Sequence, residues 1–141
     1  MNYIVYTDGG ARGNPGPAGI GFVIVEGNIT VKRGHAHIGE TTNNQAEYEA
    51  LIRALTELDI RMPKKGREEH NVEVRMDSEL VIKQLRHEYK VKDVGLKLQF
   101  AKVDALLSRF PHVTFKHIFR AQNAEADALA NEAMDVHHTS K

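Results

Sequence analysis

The apolar pattern changes period at Thr42, and that change does most to limit the folds open to this chain. Before it come three short runs rich in β-branched and aromatic residues, at 2–7, about 18–25 and about 29–38, each of which predicts a strand. The triplet Glu26-Gly27-Asn28 supplies turn residues between the second and third, so these two are expected to form a hairpin. Beyond Thr42, Glu47, Leu51, Ala54, Leu55 and Leu58 fall on one stripe of an amphipathic helix over about 44–58, with residues 41–44 offering its N-cap. Residues 61–71 mix proline, glycine and charge without a period and read as a surface connection. Val72, Val74 and Met76 then alternate into Asp77, predicting a fourth strand, and Ser78 is placed to cap a helix from Glu79 to about Leu85. A further helix over about 95–108 carries Leu96, Phe100, Val103 and Leu107 on one face and stops before Phe110-Pro111. A fifth strand at 113–119, a last helix at 123–134 and a mobile tail at 135–141 complete the order. Three strands, a helix, a strand, helices, a strand and a helix make a mixed α/β sheet with helical crossovers.

At 141 residues the length suits one domain spanning the whole chain. Nineteen basic residues balance nineteen acidic ones, so contact with a polyanion must come from a local patch. The absence of cysteine excludes disulfides, thiolate metal sites and a cysteine nucleophile. No apolar run approaches membrane-spanning length and no secretory leader pattern opens the sequence, so a soluble, cytoplasmic, monomeric protein is expected.

Four acids stand where acids are costly. Asp8 and Asp77 each end a strand pattern, Glu47 sits on the apolar stripe of the first helix, and Asp127 shares a helical face with Ala130 and Met134. A carboxylate on a core-facing stripe loses hydration and needs a partner or a cation. No basic residue recurs on those stripes, so a divalent metal is the natural partner, and an all-oxygen donor set selects magnesium or manganese. Singly, a helix acid is more often a boundary residue and a strand-end aspartate more often a turn former; the combination carries the argument. The glycines after Asp8 suit a tight turn, and amides released from a sheet there would form a cradle for an anion or a sugar hydroxyl.

The segments TDGGARGNPGPAG around Asp8, TTNNQAEYEAL around Glu47, MDSELVIKQL around Asp77 and NAEADALANEA around Asp127 together resemble the type 1 ribonuclease H family, in order and at suitable separations over residues 3–134. The resemblance implies a five-stranded mixed sheet, strands one to three antiparallel and four and five parallel to strand one, with helices on both faces. It implies hydrolysis of the RNA strand of an RNA/DNA hybrid by two metal ions held by Asp8, Glu47, Asp77 and Asp127, leaving 5′-phosphate and 3′-hydroxyl ends. It also implies hybrid contacts from Gly9, Gly10, Ala11, Arg12, Gly13 and Asn14 near the minor groove, where 2′-hydroxyls distinguish RNA. Further contacts are implied for Asn43, Asn44, Gln45, Ser78 and Asn123.

Two departures separate this sequence from the best-known bacterial members. The stretch RHEYKVKDVGLKLQ lacks the tryptophan of a basic protrusion, which predicts fewer phosphate contacts and a shallower salt dependence; Lys83, Arg86, Lys90, Lys92 and Lys97 read as a solvated helix face. FKHIFRAQNAEAD runs almost directly from strand to helix, so His117 reads as structural within an alternating strand, and Arg120 resembles the arginine of compact, archaeal-like members, catalytic beside a phosphate oxygen. The alternatives are another nuclease of the same superfamily, such as an integrase or 3′ exonuclease, and a hybrid-binding module without catalysis.

Overall fold

The computed structural model describes residues 2–139. Five strands, β1 (Asn2–Ala11), β2 (Gly16–Glu26), β3 (Ile29–Thr41), β4 (Asn71–Met76) and β5 (Val113–His117), form one sheet in the order β3-β2-β1-β4-β5. β1, β2 and β3 pair antiparallel, and β4 and β5 run parallel to β1, as the resemblance implies. Four helices accompany them: α1 (Asn43–Arg61), α2 (Glu79–Leu85), α3 (Val94–Leu107) and α4 (Ala124–Thr139).

Alternation along β2 decides which helix each face receives. Ile20, Phe22 and Ile24 pack with Tyr48, Leu51, Leu55 and Leu58 of α1 in the main core. On the other face, Gly19 and Gly21 lie so close to α4 that a Cβ at Gly21 would stand 2.4 Å from the Ala126 carbonyl oxygen. Short glycine rows therefore let α4 rest directly on the sheet, and this fixes how far Asp127 stands from β1. α3 closes the core beyond α1 with Leu96 and Val103 buried and Phe100 and Leu107 packed against it.

Several boundaries move from those expected. β1 continues three residues past Asp8, because Gly9, Gly10 and Ala11 pair with Ile20, Gly19 and Ala18. The turn is thus confined to Arg12–Pro15, and the glycines next to Asp8 are strand residues. Thr42 caps α1 by accepting from Gln45 N at 3.2 Å, so Asn43 and Asn44 stand inside the first turn rather than at its cap. The connection after α1 is not merely surface: Arg67 is buried, with its guanidinium donating to Asp59 at 2.7 Å and to the carbonyls of Asp59, Met62, Pro63 and Arg109. β5 ends at His117 instead of 119, and a 3-10 turn, Arg120–Asn123, precedes α4. That helix extends through Thr139, which corrects the tail expected from 135; residues 140 and 141 lie outside the described residues.

Candidate active site

Parallel pairing of β1 with β4 stops at Tyr6 and Arg75, and beyond that point the strands part. Asp8 lies on β1 just past the fork and Asp77 directly after β4. α1 brings Glu47 to the same place, since the first turn of that helix packs on β1: a Cβ at Gly9 would stand 2.4 Å from the Ala46 carbonyl oxygen. Close helix packing is therefore the structural demand for glycine at position 9. α4 completes the set with Asp127, and the four acids line one cleft of about 480 Å³. A larger cavity of about 580 Å³ near the opposite ends of β1, β4 and β5 contains one acid, Glu73, already paired with Arg75 at 2.5 Å. Convergent chemistry belongs to the smaller cleft.

Burial and neighbouring charge raise the proton affinity of Asp8, Glu47 and Asp77. Burial foremost, then the charge of Asp77 and a hydrogen bond and charge from Asp127, push Asp8 up to about 8. Burial and the Asp77 charge push Glu47 up to about 7, against a hydrogen bond from Ser78. Asp77 is raised by burial and by Asp127, partly offset by the Asn123 amide and the Arg120 charge. Arg120, its side chain 76% exposed, reaches Asp127 at 3.3 Å. Among the described residues no three acidic or histidine groups are closed around a single point as an ion-binding cluster. The donor chemistry nevertheless fits a hard cation: four carboxylates, three of them with raised proton affinity, and no thiol.

The other expected residues occupy different places around the cleft. Gly9, Gly10, Ala11, Arg12 and Asn43 line the cleft. Asn14 accepts from Asn43 N at 3.0 Å and Asn43 accepts from Ala11 N at 2.8 Å, so the two side chains brace the β1–β2 turn on the start of α1. Arg12 is held at 2.7 Å by Asp135, a residue of the helical segment that was expected to be tail. Gln45 lines a separate groove with Gly95, Leu98 and Gln99, away from the acids. Ser78 caps α2 and bonds Glu47. Asn123, expected as a hybrid contact, is 1% exposed and donates to the Thr7 carbonyl at 2.9 Å, beneath the cleft rather than on its surface.

His117, expected to be structural inside a strand, is the terminal residue of β5 and lines the cleft, its ring edge-on to Phe119 at 5.8 Å. Phe119 and Asn131, which sequence reading passed over, line it too. Asn131 donates to the Asp127 carbonyl at 3.0 Å, and its position one turn after Asp127 was the available signal.

Comparison with known proteins agrees with this geometry. The family described as reverse transcriptase-like matches residues 6–133. Ribonuclease HI of Halobacterium salinarum is 44% identical over 132 residues, covering 92% of this chain and 63% of that protein. The chain thus spans less than two thirds of that relative, and 36% of three mycobacterial relatives. Ribonuclease H of Polaromonas naphthalenivorans is 31% identical over 154 residues, covering 96% of this chain and 88% of that protein. LC11 ribonuclease H1, isolated from compost, superposes with a TM-score of 0.87 at 54% identity over 96% of both chains. Its structure with an RNA/DNA hybrid superposes at 0.85, covering 95% of this chain and 97% of that one. With four carboxylates at the fork of a five-stranded mixed sheet and these relatives across nearly its whole length, the chain belongs to the ribonuclease H family.

Proposed function

We propose that this protein is an endonuclease that hydrolyses the RNA strand of RNA/DNA hybrids, leaving 5′-phosphate and 3′-hydroxyl ends. The observation that carries the reading is the convergence of Asp8, Glu47, Asp77 and Asp127 in one open cleft, where burial and neighbouring charge disfavour the ionised forms of Asp8, Glu47 and Asp77. These four side chains would hold two divalent ions, magnesium or manganese. When bound, the ions supply activation of the attacking water and neutralisation of charge on the departing 3′ oxygen.

The chain's own groups supply position and selectivity. Arg120, 76% exposed and in contact with Asp127 at 3.3 Å, offers its guanidinium to a phosphate oxygen and stabilises charge that grows during attack. Beyond Tyr6 β1 no longer pairs with β4, and although Asn123 takes the Thr7 carbonyl and Asn43 the Ala11 amide, the backbone of Gly9 and Gly10 lines the cleft. Such groups suit the 2′-hydroxyls of the RNA strand. The hydrogen bonds made by Asn14 and Asn43 use their carbonyl oxygens, which leaves their amide nitrogens as donors for the backbone of the duplex, beside Arg12, Gly13 and Asn44. Asn123 and Ser78 act from beneath, steadying Asp77 and Glu47. On the helix face expected to be solvated, Lys83 is engaged with Glu79 at 3.0 Å and Arg86 with the Phe115 carbonyl, while Lys90, Lys92 and Lys97 are exposed.

The test is strand selectivity. Hybrid, RNA/RNA, DNA/DNA and RNA-DNA junction duplexes, each labelled on either strand, are incubated with the protein in magnesium and the product ends identified. Cutting of the RNA strand of the hybrid with 5′-phosphate products supports the reading; cutting of DNA, or 3′-phosphate ends, overturns it.

A further inference from the structure

Phe119 is 73% exposed, although nothing in the fold requires a large apolar ring in solvent at that point. Its neighbour Ile118 continues the ladder, donating to the Met76 carbonyl at 3.0 Å, and is itself buried. The chain then turns out, and the turn is locked in both directions. Phe119 N donates to Gln122 Oε1 at 3.0 Å while Gln122 N donates to the Phe119 carbonyl at 2.9 Å. The ring thus stands on a fixed backbone at the lip of the cleft, packed in a T-shaped contact with His117, and the next side chain along the same turn is Arg120.

From this we infer that Phe119 is a substrate-positioning residue, packing its ring against the apolar face of the ribose next to the phosphate that Arg120 holds. The inference rests on the hybrid-cleaving reading above and deepens it. A nucleic acid backbone alternates charged phosphate with a less polar sugar, and one short locked turn presents a cation and an aromatic ring in succession. Bases within a duplex are already stacked on one another, so a ring approaching from outside meets the sugar rather than a base face. Contact with that sugar would also remove from water the apolar surface that the free protein exposes. Phe119 would set the register of the strand, so that the phosphate before the acids is the one that Arg120 reaches.

The chain contains no tryptophan, which makes Phe119→Trp a unique fluorophore at the proposed contact. The variant is prepared with Asp77→Asn to prevent cleavage and titrated with a short fluorescein-labelled RNA/DNA hybrid. Binding is read from the anisotropy of the hybrid, and contact from the emission and iodide accessibility of the indole, excited separately. A blue-shifted or quenched indole, protected from iodide in step with binding, is the expected result. If the hybrid binds while emission and accessibility stay unchanged, the ring does not touch it and the inference fails. If neither this protein nor Asp77→Asn alone binds the hybrid, the underlying reading fails and takes the inference with it. In the active protein, Phe119→Ala should raise KM for the hybrid on the order of tenfold with a smaller change in kcat. Phe119→Tyr should restore it, and thermal melts of all variants should match the parent protein. Unchanged KM in Phe119→Ala would also overturn the inference.

Discussion

Replacing Asp77 with asparagine should stabilise the cation-free protein while abolishing cleavage. In the fold Asp8 moves from its ordinary 3.8 to about 8, a cost of ionisation of about 6 kcal/mol at about 1.4 kcal/mol for each tenfold change. Burial is the largest cause and the charge of Asp77 the second, which bounds the Asp77 share at half of that cost, about 3 kcal/mol. Asp77 is itself partly exposed, and solvent screening reduces its share to about 1 kcal/mol. Glu47 is relieved by the same change, since the Asp77 charge also disfavours its ionisation. An asparagine keeps the volume and still offers an oxygen to the Asn123 amide. For a chain of this size about 1 kcal/mol corresponds to roughly 3 °C. Thermal melts in excess chelator at pH 8 should therefore show Asp77→Asn melting about 3 °C above wild type. Near pH 5, where Asp8 and Glu47 are protonated in either protein, the gap should narrow. A variant that melts several degrees lower at pH 8 would mean that Asp77 is a structural acid whose partners need its charge, and the electrostatic account would be wrong.

Arg120→Ala should lower the cleavage rate on the order of a hundredfold, and His117→Ala much less, because only Arg120 reaches toward Asp127; equal losses in single-turnover assays would contradict this. The raised proton affinities of Asp8, Glu47 and Asp77 give the cation-free protein a defined pH dependence. Folded chains hold protons there that unfolded chains release near pH 4, so this contribution is complete below about pH 4 and is lost as pH rises through about 8. Melts in chelator should fall between about pH 4 and 8, and saturating magnesium should remove the decline; a flat profile in chelator would refute it. Arg67→Ala should destabilise the fold by about 3 kcal/mol, since Asp59 and four carbonyls lose their donor; a denaturation midpoint within error of wild type would count against that network.

The parts of the fold that were legible in the sequence are those where one local signal and the tertiary environment agree. The stripe from Glu47 to Leu58, the alternation of Val72, Val74 and Met76, and the cap at Ser78 all became the elements they predicted. The acids could be read because a carboxylate on an apolar stripe conflicts with local patterning, and such conflicts collect at functional sites. Gly9 and Gly10 misled because their weak strand propensity signals a turn, whereas pairing with β2 and the approach of α1 decide their conformation. Arg67 looked like one more charge in a polar loop; its burial depends on Asp59, eight residues earlier, and on a carbonyl from the far end of α3. Phe119 continued the alternation of β5, and only the three-dimensional turn locked by Gln122 reveals that its ring leaves the sheet for the cleft.

The most direct test of the central claim is cleavage of a hybrid with its RNA strand labelled, measured for wild type and Asp8→Asn in magnesium and again in excess chelator. Four converging carboxylates that act by holding divalent ions predict cutting of the RNA strand by wild type in magnesium alone. They predict no cutting in chelator and none by Asp8→Asn in either condition. Cleavage by wild type that persists undiminished in chelator, or by Asp8→Asn at the wild-type rate, would contradict the account.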